Sequence, residues 1–352
     1  MRLIIGTYPH GQKETPDEGI WSVEFDQHRG ALENPLQLTT VDSPSFVVAN
    51  AQDSAVFAVS EVQDGQLHEY EYTNNQLVKT VSVPTNGVEP CHVITVGGLA
   101  IATNYTTGSV CAYRIPLSTE TPGQFFQHSG TGPNSERQEG PHAHFAGQVP
   151  GTQYVWVTDL GSDRINLYVV SSASDGGPKL DSLGTAVQFP PGAGPRHIAF
   201  SAHSRAYVVG ELDNNIYTVS IDEASGRGEI VATTPITTSA LSPDDLASHI
   251  ELDESEQHLF VAVRGVDLIC VLDVNEAGEL AHATSFPTGG TWPRHFRVLN
   301  AAGPEQSHLR YVLVANQQSH ALNVTEYNTT TRAATLRASA TIPAPAAIAP
   351  LV

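Results

Sequence analysis

Residues 195–211 read PRHIAFSAHSRAYVVGE, and residues 293–316 read PRHFRVLNAAGPEQSHLRYVLVAN. Both begin with the same three residues, run through a short strand and a polar turn, and rise into a more apolar second strand with a polar end. The unit recurs as PSFVVANAQDSAVFAVSE (44–61), PCHVITVGGLAIATN (90–104), PHAHFAGQVPGTQYVWVTD (141–159) and ASHIELDESEQHLFVAVR (247–264). A third strand follows each, for example DRINLYVV (163–170) or NNIYTVSI (214–221), with the alternation of a half-buried strand. A fourth closes the unit, as QLVKTVSV (76–83) does.

The repeats are anchored at Pro44, Pro90, Pro141, Pro195, Ala247 and Pro293, in steps of 46, 51, 54, 52 and 46 residues. A four-stranded propeller blade takes roughly 40–50 residues. A seventh anchor, Pro345, opens PAAIAPLV, a first strand with nothing after it, while RLIIGT (2–7) is a second strand with nothing before it. The expected fold is therefore all-β: a seven-bladed β-propeller, one domain over residues 1–352. One blade is closed by the N- and C-terminal strands, which removes exposed sheet edges. Helix is expected only as one turn in SPDDLASH (242–249), capped by Ser242. The polar loop His128–Gly140 is placed to cover a site.

Composition narrows the function classes. The net charge is −20, from 37 acidic and 17 basic residues, so nucleic acid and anionic membranes are excluded as unaided partners. Any Arg cluster must then be local. Three cysteines without a C-x-x-C indicate neither a disulfide framework nor a zinc knuckle. With no apolar leader at MRLIIGTYPHG, the expectation is a cytoplasmic protein, monomeric or weakly homodimeric. No Walker loop, G-x-S-x-G or H-E-x-x-H occurs.

Antiparallel geometry places the start of each first strand and the end of each second strand at one end of a blade. The anchors would bring His92, His142, His144, Arg196, His197, His249, Arg294 and His295 to one channel mouth. The second-strand ends would bring Thr7, Glu61, Asn104, Asp159, Glu211, Arg264 and Asn316. Convergent titratable groups of this kind suggest a lined pocket, the alternative being inter-blade hydrogen bonds around a watery channel. His142-x-His144 has the spacing of strand-borne ligands, but a lone H-x-H does not make a metal site, and no metal or other cofactor is expected. Nothing in the sequence places the His92 imidazole beside the Cys91 thiol, so Cys91 reads as a buried thiol rather than a nucleophile.

GTYPH (6–10), SGTGPNSERQEGPHAHF (129–145), VTDLGSDRINLY (157–168), GAGPRHIAFS (192–201), FVAVRG (260–265), GTWPRHF (290–296) and VANQ (314–317) resemble the lactonase family of seven-bladed propellers. The resemblance spans nearly the whole chain. It includes the propeller type of 6-phosphogluconolactonase and the fungal 3-carboxy-cis,cis-muconate cyclase. It implies catalytic positions at His144, Arg196, Glu211 and Arg264, without a metal. AVRGVDLI departs from the family's more polar SNRG-like segment around Arg264. Glu61, Asn104, His142, Asp159, His197, Arg294 and Asn316 are the expected substrate-binding positions. The expected reaction is hydrolysis of a small anionic sugar lactone. Arg196 and Arg264 would hold the anion and the oxyanion, His144 would be the base, and Glu211 would orient them. The alternatives are cycloisomerisation of a carboxymuconate by the same residues, and a non-catalytic propeller that binds a partner.

Overall fold

The computed structural model describes residues 1–9, 18–50 and 55–351. His10, which ends the GTYPH motif, lies outside them. Among the described residues there are seven four-stranded antiparallel sheets, six of them in chain order, and a single 3-10 turn at Pro304–Gln306. The fold is the seven-bladed β-propeller. Numbered from Pro44, the blades span 47–84, 90–127, 143–188, 195–235, 246–287 and 293–341. The seventh joins Pro345–Leu351 to the strands of 2–39. Leu3 faces Pro350 and Ile5 faces Ile348 across that closure, as the repeat period requires.

The chain divides into two compact units, Pro44–Thr233 and residues 1–43 with 234–352. The first carries blades one to four and the second blades five to seven.

Within each unit the packing follows from the strand period of two. Second strands are buried on both faces, which is why they read as continuous apolar runs. In Tyr154–Asp159, Val155 and Val157 pack against Leu99, Ile101 and Val110 of the second blade. Trp156, between them, turns the other way onto Val208, Tyr217 and Val219 of the fourth. Truncating a fully buried Trp of this kind costs about 3–5 kcal/mol. Fourth strands are largely exposed and polar, as in Arg227–Pro235.

Two expectations are corrected. Residues 242–249 do not form a helical turn. The Asp245 carboxylate accepts the Ser242 amide at 2.6 Å and the Asp245 amide donates to the Ser242 carbonyl at 3.1 Å. That closes a tight turn, and Leu246–Leu252 then pairs as a first strand. The third anchor is Ala143 rather than Pro141: Ala143 faces Asp159 just as Pro90 faces Asn104.

Candidate active site

In blades two to four the first strand breaks register at its start, between Pro90 and His92, Ala143 and Phe145, and Pro195 and Ile198. The extra residues are Cys91, His144, and the Arg196–His197 pair. A bulge re-aims side chains, and bulges concentrate beside functional sites. Thr158 stitches two of them together: its hydroxyl accepts the Phe145 amide at 3.1 Å and donates to the Arg196 carbonyl at 2.7 Å.

The His144 ring meets Tyr105 edge-on at 5.6 Å and His197 at 5.2 Å. His197 in turn contacts His92 and Phe145. The Cys91 thiol is buried and donates to the His144 carbonyl at 3.4 Å, with His144 Nδ1 at 3.9 Å. His142 has partners of its own. Its ring stacks on Tyr105 at 4.5 Å, its Nδ1 lies 2.9 Å from the Tyr105 carbonyl, and its Nε2 lies 3.3 Å from Glu139. Among the described residues no three His, Cys, Asp or Glu side chains converge as a metal site needs.

The second-strand ends fall into two sets that differ by one residue. Asn104, Asp159 and Asn316 pair with the anchors themselves and are fully buried. The Asn104 amide bonds to Ser109 and the Thr85 carbonyl, and that of Asn316 to the Thr288 carbonyl. A Cβ on Gly87 would overlap Asn104, and one on Gly290 would overlap Asn316, so each amide fills the space beneath a glycine that precedes its anchor. Asp159 accepts the amides of His142 and Ser162 at 2.9 and 3.0 Å and pairs with His128 at 2.8 Å. The amide nitrogens of the two asparagines and the Asp159 carboxylate hold turns.

One residue further on stand Glu61, Tyr105 and Glu211. Glu61 is buried just beyond Ala55–Ser60. Glu211 is the centre of the site. Its Oε2 lies 2.8 Å from Arg196 Nε and its Oε1 accepts Arg137 Nη2 at 2.6 Å. Arg196 and Glu211 are each only 2% exposed. Removing one partner of a buried pair of this kind costs about 3–5 kcal/mol. Arg137 Nη2 also donates to the Tyr105 hydroxyl at 3.1 Å. Burial works against the Arg137 charge, but Glu211 and Tyr105 outweigh it and hold the guanidinium pKa above its ordinary value. Burial, helped by Glu211, raises that of Tyr105, which therefore stays a neutral phenol.

Arg137 and Tyr105 are the residues that strand geometry missed. Arg137 belongs to the 128–140 loop, and the loop is pinned at both ends. His128 is held by Asp159 and by the Tyr168 hydroxyl at 2.9 Å. Gln138 is fully buried, and its amide donates to the Leu160 carbonyl at 2.9 Å and to Asp163 at 2.7 Å. Asp163 also accepts the amides of Gly192 and Gly194 just before the fourth blade. The available signal was the ERQEG block, which lies in one of the stretches that carry the family resemblance.

In the other unit Arg264 donates from Nε and Nη2 to the carbonyls of Leu246 and Ala247, and its guanidinium lies 5.3 Å from the Trp292 ring. Arg294 covers the Tyr8 ring at 4.5 Å. His249 and His295 stack at 4.0 Å.

Among the described residues no helix is long and apolar enough to cross a membrane. A 6-phosphogluconolactonase of Bacillus subtilis is 31% identical over 309 residues, covering 83% of each chain. The solved periplasmic gluconolactonase of Pseudomonas aeruginosa superposes with a TM-score of 0.85 at 25% identity, over 99% of this chain and 98% of its own. A Lactobacillus plantarum protein superposes with the same score, identity and coverage. Residues 2–350 match the family described as Lactonase, 7-bladed beta-propeller. With the blade count and the terminal closure in agreement, the chain belongs to the lactonase family of seven-bladed β-propellers.

Proposed function

We propose that the protein hydrolyses a small anionic sugar lactone, most simply 6-phosphogluconolactone to 6-phosphogluconate. One observation carries the assignment of roles: Glu211 clamps two guanidinium groups beside Tyr105, whose ring also touches His144. Arg196, held by Glu211, polarises the lactone carbonyl and stabilises the tetrahedral oxyanion. His144 takes a proton from water as the oxygen bonds to the carbonyl carbon. The intermediate collapses, the ring C–O bond breaks, and the leaving alkoxide takes that proton back from His144. Glu211 is a positioning residue, since it acts through both arginines. No cofactor enters this sequence, and activity is expected to survive dialysis against a chelator.

The Bacillus and Pseudomonas relatives are named lactonases, which favours hydrolysis over cycloisomerisation and over a propeller that only binds. The three buried cysteines, none of them in a disulfide, suit a reducing cytoplasm, although the Pseudomonas relative is periplasmic. Acid release from lactones and the loss of muconate absorbance, followed on one preparation, separate the reactions. Turnover of 3-carboxy-cis,cis-muconate without lactone hydrolysis would reject the proposal.

A further inference from the structure

The sequence ERQEG (136–140) places a cation beside a glutamine, in a loop whose other residues are mostly small or polar. Folding makes that neighbour the anchor. Gln138 is buried, and besides donating to Leu160 and Asp163 it offers its carbonyl oxygen to the Asn134 amide at 3.3 Å. Its backbone is tied as well, accepting from Gly132 and donating to the Asn134 carbonyl. Arg137 therefore leaves a rigid turn, and the position of its head group is set before any ligand arrives.

The head group spends only one of its three nitrogens. Nη2 serves both Glu211 and Tyr105, and among the described residues Nη1 and Nε have no protein acceptor. The side chain is 33% exposed, against 2% for Arg196 on the other oxygen of the same carboxylate. Two guanidiniums on one carboxylate are thus set at different depths. The buried one suits the reacting carbonyl. The outer one keeps planar donors open to water, which is how arginine binds a phosphate or carboxylate.

We infer that Arg137 is the specificity residue of the site and binds the phosphate that distinguishes a phosphorylated sugar lactone from a neutral one. The inference rests on the lactonase reading above and narrows it. Arg137 adds ground-state affinity for the part of the substrate that does not react, so its loss should raise KM more than it lowers kcat.

The test uses 6-phosphoglucono-δ-lactone and glucono-δ-lactone, which differ by the phosphate alone, with rates taken above spontaneous hydrolysis. In R137A, kcat/KM on the phosphorylated lactone is expected to fall roughly 10- to 150-fold, through KM. On the neutral lactone, which lacks the phosphate, the fall should be about tenfold smaller. R137K should recover part of the loss, because it keeps the charge but not the planar fork. R137Q, which keeps the aliphatic stem and a polar head but neither the charge nor the reach to Glu211, serves the same comparison should R137A fail to fold. An equal fall on both lactones would overturn the inference by assigning Arg137 to the chemistry through Glu211. No fall on the phosphorylated lactone would overturn it while leaving the lactonase reading intact. Wild-type protein inert on both lactones would remove that reading, and the inference with it.

Discussion

Asp159 and Glu211 are both buried carboxylates at the end of a second strand, in neighbouring blades, and they do opposite work. Asp159 sits at the register of its anchor and is surrounded by backbone amides and a histidine. Glu211 sits one residue later, and the partners of its two oxygens include the side chains of Arg137 and Arg196. A carboxylate saturated by backbone donors fixes a turn. A carboxylate that carries guanidiniums organises positive charge, which an anionic substrate can use. A single step in register separates scaffold from site, because consecutive residues of a strand face opposite ways.

The largest effect should come from the scaffold. Asp159→Ala orphans the amides of His142 and Ser162 and the His128 ring, a loss of about 3–5 kcal/mol of stability. Denaturant titration should show it, while kcat/KM per folded molecule stays within about tenfold. An unchanged midpoint with collapsed turnover would erase the contrast with Glu211.

Arg196→Ala attacks the other side. It removes a charge-assisted contact worth about 1.5–3 kcal/mol, so kcat/KM should fall roughly 10- to 150-fold on phosphorylated and neutral lactones alike. Arg196→Lys should restore part of it. Wild-type turnover in a folded Arg196→Ala protein would make this arginine a tie between blades and nothing more.

Tyr105→Phe should be the mildest. It deletes the 3.1 Å bond to Arg137 but leaves the ring against His142 and His144. A hydrogen bond to a charged group is worth about 1.5–3 kcal/mol, but Arg137 Nη2 keeps its bond to Glu211, so a smaller loss of roughly two- to tenfold in kcat/KM is expected on the phosphorylated lactone. A comparable loss on the neutral lactone would move Tyr105 from supporting Arg137 to the reacting atoms.

The blades were legible because each repeats one pattern, and a repeat survives errors in any one copy. The third anchor slipped by two residues because proline stands at Pro141 while the strand begins at Ala143. Ser242 and Asp245 form a turn that resembles a helix start in sequence, and only the pairing of Leu246 with Arg264 decides between them. His144, Arg196 and Glu211 could be named from strand geometry, and the structure places Arg196 on Glu211. Asn104, Asp159 and Asn316 were named by the same signal, and strand polarity alone does not give the one-residue difference in register that separates them from Glu211. Arg137 was invisible to strand geometry, since a loop has no register, and its place depends on the long-range grip of Asp163 on Gln138.

The three cysteines carry a consequence for experiment. Cys91, Cys111 and Cys270 are all buried, and burial pushes the thiol of Cys111 up to about 12 and that of Cys270 up to about 11. The thiolate is the reactive form, so a native molecule at neutral pH should ignore alkylating reagents until it opens. Cys111 belongs to the unit of blades one to four and Cys270 to that of blades five to seven. The two thiols are therefore built-in clocks for the opening of each unit. Equal labelling rates would mean that the blades come apart as one cooperative body; a faster Cys270 or Cys111 would show which half lets go first.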